Sequence, residues 1–229
     1  YLGMEKPEEF IRIQLKDINP NEIKDYLFNR FEGRETIIPD HYAFLNAPKA
    51  RYEAMFNSGN ENEATKARIC KDRFPFFDLD ADQVENILGD RRESFSIRSS
   101  LQTIYANPYT VAEEYTGSDI TDFVNFEKID HGMLPSDDLG DVSRIKLDDP
   151  RRLRCLMHTV LINASAEGHT FLEWSTLVEN IVHWHEQNDK SENFHFDLTT
   201  WNQHKDIFSS KVVEDRAEGI NSIYLKQLH

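Results

Sequence analysis

Cysteine is almost missing: Cys70 and Cys155 are the only two in 229 residues. They stand far apart and form no CxxC pair, so neither a disulfide framework nor a cysteine zinc site is implied. Long apolar runs are missing as well. None approaches the roughly 18 residues of a membrane helix, and Tyr1 onward shows no signal-peptide pattern, so no membrane contact is expected and a cytoplasmic protein is the default. No Gly-Lys pair occurs, which removes the GxxxxGK[ST] phosphate loop, and GxSxG, HExxH and HxE…PCxxC are equally lacking. The chain begins without methionine and stops at "SIYLKQLH" with no closing element, so it is expected to be a piece of a longer protein.

Basic charge is the other shortage. Lys and Arg number 26 against 41 Asp and Glu, a formal net charge of -15. Such an excess repels nucleic acid at long range, and a phosphate-binding role has to rest on local patches. Two exist. Arg144, Lys146, Arg151, Arg152 and Arg154 stand against only Asp148 and Asp149, and Arg91, Arg92 and Arg98 form a smaller group. These are the candidate DNA-binding residues; the plainer reading is that they are solvated or paired with the many carboxylates.

Along the chain, "EEFIRIQLKDI" alternates apolar and polar residues like a short strand, and "NPNEIKDYLFNRF" and "HYAFLNAPKARYEAMF" read as helical. "NSGNENEATKARI" is a polar loop leading into a helix. "DLDADQVENILGD" copies the first ligands of a calcium loop with Asp78, Asp80 and Asp82. Gln83 and Gly89 then stand where such a loop requires glycine and glutamate. A helix cap explains the segment better: Asp80 as N-cap, Gln83 closing a capping box, Val84, Ile87 and Leu88 inward, Gly89 as the stop.

"YANPYTVAEEYTG" suggests a helix capped by Asn107, begun by Pro108 and ended by Gly117. A short helix is expected from Phe126 to Ile129, then a linker of turns. Asp149 caps and Pro150 starts a longer helix with Leu153, Leu156, Met157, Val160, Leu161 and Ala164 on one apolar stripe, stopped at Gly168. "HTFL" is extended, "EWSTLVENIVHWH" is a second amphipathic helix, and "DLTTWNQHKDIF" a brief third. "SKVVED", the turn "RAEG" and "INSIYLKQL" form a hairpin. Helix, strand, helix, helix, hairpin is the order of a winged helix-turn-helix unit. His183 and His185 cannot share one ion from i and i+2 on a helix, so with His195 and His204 they are expected to be surface histidines, and no metal site is expected. His169 is expected to be a structural hydrogen-bonder.

The residues from about 95 to 229 resemble the region before the motor of RecD-like superfamily 1 DNA helicases, relatives of the exonuclease V alpha subunit. Asn107, Pro108 and Tyr109 match N-P-Y. Gly117, Phe126 and Asp130 come next, then the arginine-led helix with Arg151 and Arg154. Glu167, Gly168, His169, Thr170 and Phe171 match its end, and Leu177 and Val178 a Leu-Val helix. In that family the segment after the glycine often forms a helix-hairpin-helix whose backbone N–H groups meet a phosphate. Here "SDITDFVNF" is longer and acidic, and Asp119 and Asp122 are expected to repel a phosphate while the hairpin survives as scaffold.

The chain is expected to be mainly α: an α-rich extension of unknown role (1–90) with a little strand, which the resemblance does not cover, a helical hairpin-like region and linker (91–147), and a winged-helix unit (148–229). The resemblance implies a non-catalytic accessory region beside an ATP-dependent motor, whose ATP and magnesium sites lie outside these residues. The expected partners are DNA, weakly and without sequence preference, or the helicase core of the same chain. An acidic winged-helix module that docks another protein is the alternative, and a metal-dependent nuclease a third reading with no motif behind it.

Overall fold

A computed structural model of the chain describes residues 53–119, 121–134, 145–188, 194, 196–217 and 219–226. The strand and helices expected within the first 52 residues, the linker after Leu134, Arg144 and His195 lie outside the described residues; 53–56 are helical. From residue 57 onward the described chain is mainly helical, with one small antiparallel sheet.

Local capping chemistry sets most of the helices. α1 (Glu61–Asp72) starts where the Asn60 side chain accepts from the N–H groups of Asn62 and Glu63, and Glu61 and Glu63 in its first turn suit the positive end of the helix dipole. α2 (Ala81–Leu88) carries the complete capping box. Asp80 accepts from the Gln83 N–H at 2.8 Å, and the Gln83 side chain accepts from the Asp80 N–H at 3.3 Å. Val84, Ile87 and Leu88 are buried, as their spacing predicts. α3 (Leu101–Ala106) is capped by Ser100 and α5 (Phe126–Met133) by Asn125.

Between them, α4 (Tyr109–Glu114) departs from expectation. Asn107 closes α3 instead of opening α4, Pro108 occupies the N-cap, and the helix ends at Tyr115, two residues before Gly117. Gly117 serves a close approach instead. A Cβ there would overlap the Asp122 carbonyl, so the chain crosses itself at that point. Gly132 in α5 lets another strand of backbone pass in the same way, since its Cβ would overlap the Phe76 carbonyl just beyond α1.

α6 (Pro150–Ala166) is the longest described helix, capped by Asp149 and opened by Pro150. It ends in a Schellman turn. Gly168 takes φ +96°, and the His169 N–H reaches back to the Ala164 carbonyl at 2.9 Å. The two residues of β1 (Leu172–Glu173) lead into α7 (Trp174–Asn188). The expected third helix is broken at His204 into α8 (Leu198–Gln203) and α9 (Lys205–Phe208). β2 (Val212–Ala217) and β3 (Ile220–Leu225) then pair in a tight hairpin with Gly219 at φ +85°. β3 is central, with Leu172 opposite Ile223 and Glu214 opposite Ile223 on the other side, giving the order β1-β3-β2.

A single buried cluster runs from Ile69 to Leu225 and includes residues on both sides of positions 90 and 147. α6 lies at its centre, touching α4, α5, α7, α9 and the sheet. Leu153, Leu156 and Met157 have no exposed surface, Leu161 and Ala164 are buried, and Val160 is half-buried. Under the sheet Trp201 stacks on Phe208 (5.4 Å) and meets Trp174 edge-on (5.5 Å). Leu156→Ala is expected to cost about 2–5 kcal/mol of unfolding free energy in urea titrations. A loss below ~1 kcal/mol would mean that α6 is not the core helix.

Candidate functional site

Three arginines at the head of α6 are the expected basic surface. All three turn toward the protein. Arg152 has no exposed side-chain surface; its Nε and Nη2 donate to the two Asp130 oxygens, each at 2.8 Å. Its Nη1 donates to the Leu147 carbonyl (3.1 Å) and lies 3.4 Å from Nε2 of His185. A guanidinium has no acceptor, so that His185 nitrogen faces it with its lone pair. The rings of Phe126 and Trp184 each lie 5.5 Å from the guanidinium carbon. The Tyr109 hydroxyl donates to Asp130 at 2.5 Å, and Tyr109 stacks on Phe126. Burial, then the Asp130 charge, push the Tyr109 hydroxyl far above its ordinary range, so it stays a donor.

Arg154 forms a second fork. Nε and Nη2 each lie 2.7 Å from an oxygen of Glu113, whose side chain is fully covered, and Nη1 donates to Ser210. Burial pushes the Glu113 carboxyl up, against the lowering pull of Arg154. Arg151 is half-buried, bound through Nε and Nη2 to its own cap Asp149 and through Nη1 to the Ala106 carbonyl at the end of α3. Of the arginines expected to present charge to DNA, Arg152 is covered, Arg154 is held by Glu113, and Arg151 keeps a half-exposed side chain. Arg152 and Arg154 cannot meet a phosphate while their partners hold them, because stripping a buried carboxylate of its cation is too costly.

Lys146 and Arg91 are exposed and Arg92 half-buried. Among the histidines, His183 is exposed on a bond to Gln187, but His185 is buried, so the surface reading fails for it. The side chains of His169 and Thr170 are exposed, and His169 contributes its backbone N–H to the helix end. Asp122 turns inward, accepting from the Tyr115 hydroxyl, Gln83 and the Ser118 N–H, so it orders the loop after Gly117. The cations of the hairpin are also taken. Glu214 collects Trp201 Nε1 (3.2 Å), Lys205 (3.0 Å), Arg216 (2.7 Å) and Asn221 (3.1 Å), while Lys211 pairs with Glu114 (3.3 Å).

The sequence holds one signal for this. Arg152 stands four positions before Leu156, on the same helix face as the apolar stripe, and a charge there requires a buried partner. Asp130 is visible as a motif position, but nothing local ties it to a residue 22 positions away. Glu113, His158 and Glu214 leave no trace in the pattern. No family model, no curated protein and no solved structure matches the chain.

Removing one member of the central pair leaves a bare buried charge, so Arg152→Met and Asp130→Leu are each expected to cost about 3–5 kcal/mol in chemical denaturation. The double variant is expected to recover a large part of that. Additive losses would show that the pair does not act as a unit.

Glu214 gives a pH test. Burial opposes ionisation there, but the bonds from Lys205, Arg216 and Asn221 bring the carboxyl from 4.5 down to about 2. A depressed folded-state value stabilises the fold above pH ~4.5 and loses that contribution as pH falls toward 2. Urea midpoints of Glu214→Gln are expected to lie below the parent's at pH 6 and to converge with it near pH 2; parallel curves would remove Glu214 from the account.

Proposed function

We propose that the chain is a non-catalytic accessory region of a RecD-like ATP-dependent DNA helicase, which positions the motor of the same protein rather than gripping DNA itself. One observation carries the reading. The separate segments of the resemblance converge on one buried point, where Tyr109 of N-P-Y, Asp130, and Arg152 of the arginine-led helix bind one another. That these segments meet in one network supports reading them as one unit, with Arg152 beside the matched Arg151 and Arg154. The order α6-β1-α7-α8-α9-β2-β3, with β3 central, supports the winged-helix form of its second half. α4, the loop after Gly117 and α5 support the hairpin as scaffold, its phosphate contact replaced by the inward Asp122. ATP and magnesium belong to the motor that the resemblance implies.

The alternative, an acidic winged-helix module for another protein, is favoured by one feature. In winged helices that read DNA, the third helix and the wing face the phosphates. Here Lys205 and Arg216 are bound to Glu214 and Lys211 to Glu114. A nuclease finds no support among the described residues, where no three His, Cys, Asp or Glu side chains gather to hold a metal.

A salt titration with single-stranded and duplex oligonucleotides tests the placement of DNA. Dissociation constants on the order of 10⁻⁴ to 10⁻⁶ M or weaker are expected at physiological salt, with a slope equivalent to about two phosphate contacts or fewer. Lys146→Ala with Arg151→Ala is expected to weaken binding more than Lys211→Ala with Arg216→Ala. Nanomolar binding, or the reverse order, would make DNA the direct partner. The helicase reading itself fails if the residues that continue the parent polypeptide lack a phosphate loop and its lysine.

A further inference from the structure

The chain has two Arg-Arg pairs, and the structure treats them differently. Arg151 and Arg152 are bound to Asp149 and Asp130. The side chains of Arg91 and Arg92 make no hydrogen bond or ion pair among the described residues, although Asp90 and Glu93 flank them. Asp90 lies 3.8 Å from Lys66 instead. Two residues beyond Arg92 stands Ser94, exposed, and its hydroxyl is likewise unengaged among the described residues. The hydroxyls that follow are spent inside the fold: Ser96 on Thr116 (2.7 Å), Ser99 on Glu114 (2.9 Å) and Ser100 on the Thr103 N–H (3.1 Å).

The order Arg91-Arg92-Glu93-Ser94-Phe95 sets two guanidinium groups three and two positions before a serine and an apolar ring directly after it. Base-directed serine kinases read that pattern. Carboxylates of their substrate groove take the guanidinium groups in forked pairs, and an apolar pocket takes the next side chain. The other Arg-Arg pair lacks the pattern, since Leu153 and Arg154 follow it.

Such a kinase binds its substrate extended, so the local fold decides whether Ser94 can be reached. Arg92–Phe95 form a single 3₁₀ turn with no side-chain cap. Ser96 ends it at φ +63°, the only non-glycine residue in the left-handed region among the described residues, a conformation held at a cost. Three backbone bonds close the turn: the Ser94 N–H donates to the Arg91 carbonyl (2.8 Å), Ser96 to Glu93 (3.1 Å) and Ile97 to Arg92 (3.1 Å). Phe95 is half-buried and stacks on Tyr115 at 6.1 Å. Opening the turn gives up these contacts and leaves α2 and α3 on either side in the core, so it is a local event and not global unfolding.

We infer that Ser94 is a phosphorylation site for a separate base-directed serine kinase. The Ser94 Oγ attacks the γ-phosphorus of the ATP that the kinase carries. The bond from that phosphorus to the β,γ-bridging oxygen breaks, ADP leaves, and the hydroxyl proton passes to a carboxylate of the kinase. The product carries a charge of about −1.5 to −2 at pH 7 beside Arg91 and Arg92, and it turns a patch of unpaired arginine into an acidic one. The inference does not depend on the helicase reading, and its failure leaves the accessory-region proposal standing.

The test incubates the folded chain with the catalytic subunit of cyclic-AMP-dependent protein kinase and MgATP, beside a free peptide of residues 88–99. Intact mass and fragmentation read the number and place of the phosphates. The folded chain is expected to take phosphate at Ser94, with kcat/KM about a hundredfold or less below that of the peptide. Ser94→Ala is expected to remove it. Arg91→Ala with Arg92→Ala is expected to lower kcat/KM at least tenfold and to keep the melting temperature, because neither side chain has a partner to lose among the described residues. Casein kinase, which requires carboxylates after the serine, is expected to leave Ser94 unmodified, since Phe95, Ser96 and Ile97 follow it. The inference is overturned by an unmodified Ser94 in the folded chain, whether or not the peptide reacts, by phosphate on another residue in its place, or by equal rates on the parent and the double arginine variant.

Discussion

The Arg152–Asp130 pair is the constraint on which the described fold depends. Two full charges sit out of water, with 0 % and 6 % of their side-chain surfaces exposed. Taking them there costs several kcal/mol per ion, and their attraction offsets this only if every remaining donor and acceptor is met. The surroundings answer that demand group by group. Tyr109 from α4 donates to the carboxylate, the Leu147 carbonyl and His185 from α7 meet the guanidinium, and Phe126 and Trp184 face it with their rings. Four helices therefore have one arrangement in which no charge is stranded. An apolar replacement of equal volume gives comparable stability in other proteins; what the ion pair adds is the fixed register of α4, α5, α6 and α7.

That arrangement also shapes the surface. The chain has few cations, and the structure ties several of them to its own carboxylates: Arg152 to Asp130, Arg154 to Glu113, Arg151 to its own helix cap, and Lys205 with Arg216 to Glu214. The remaining carboxylates therefore dominate the exterior more than the composition alone suggests. A field of that sign slows approach to nucleic acid and favours cationic partners. An exterior of that sign is the reason the proposed accessory region is assigned protein contacts and not a grip on DNA.

Features set by neighbours within one turn were legible in the sequence. The Asp80 capping box, the Asp149-Pro150 start of α6, its apolar stripe and its Gly168 stop each rest on short-range spacing, and each is present. Features set across the fold were not. Asn107 reads as an N-cap because it precedes proline, yet the helix before it claims the position. Gly117 reads as a helix stop, yet it is there for the close crossing by Asp122. His185 reads as a surface residue from "HWH", and only the packing of α7 against Arg152 shows that it is buried. Ion-pair partners 22 and 41 positions apart have no period or motif that joins them.

The clustering of arginines at the head of α6 has its explanation in the same physics. Cations in a first helical turn face the positive end of the helix dipole and lose up to about 1 kcal/mol each, so local chemistry argues against them there. Their directions explain the placement. At about 100° per residue, positions 151, 152 and 154 point along three different bearings, and each finds another element: Ala106 at the end of α3, Asp130 in α5 and Glu113 in α4. Only a long, forked, permanently charged side chain reaches a partner on a neighbouring helix and holds a carboxylate through two parallel bonds. Lysine at the same positions would supply charge without that fixed geometry. The three arginines thus act as struts from one helix end to three others, with Arg152 and Arg154 spent on buried carboxylates and Arg151 left half-exposed.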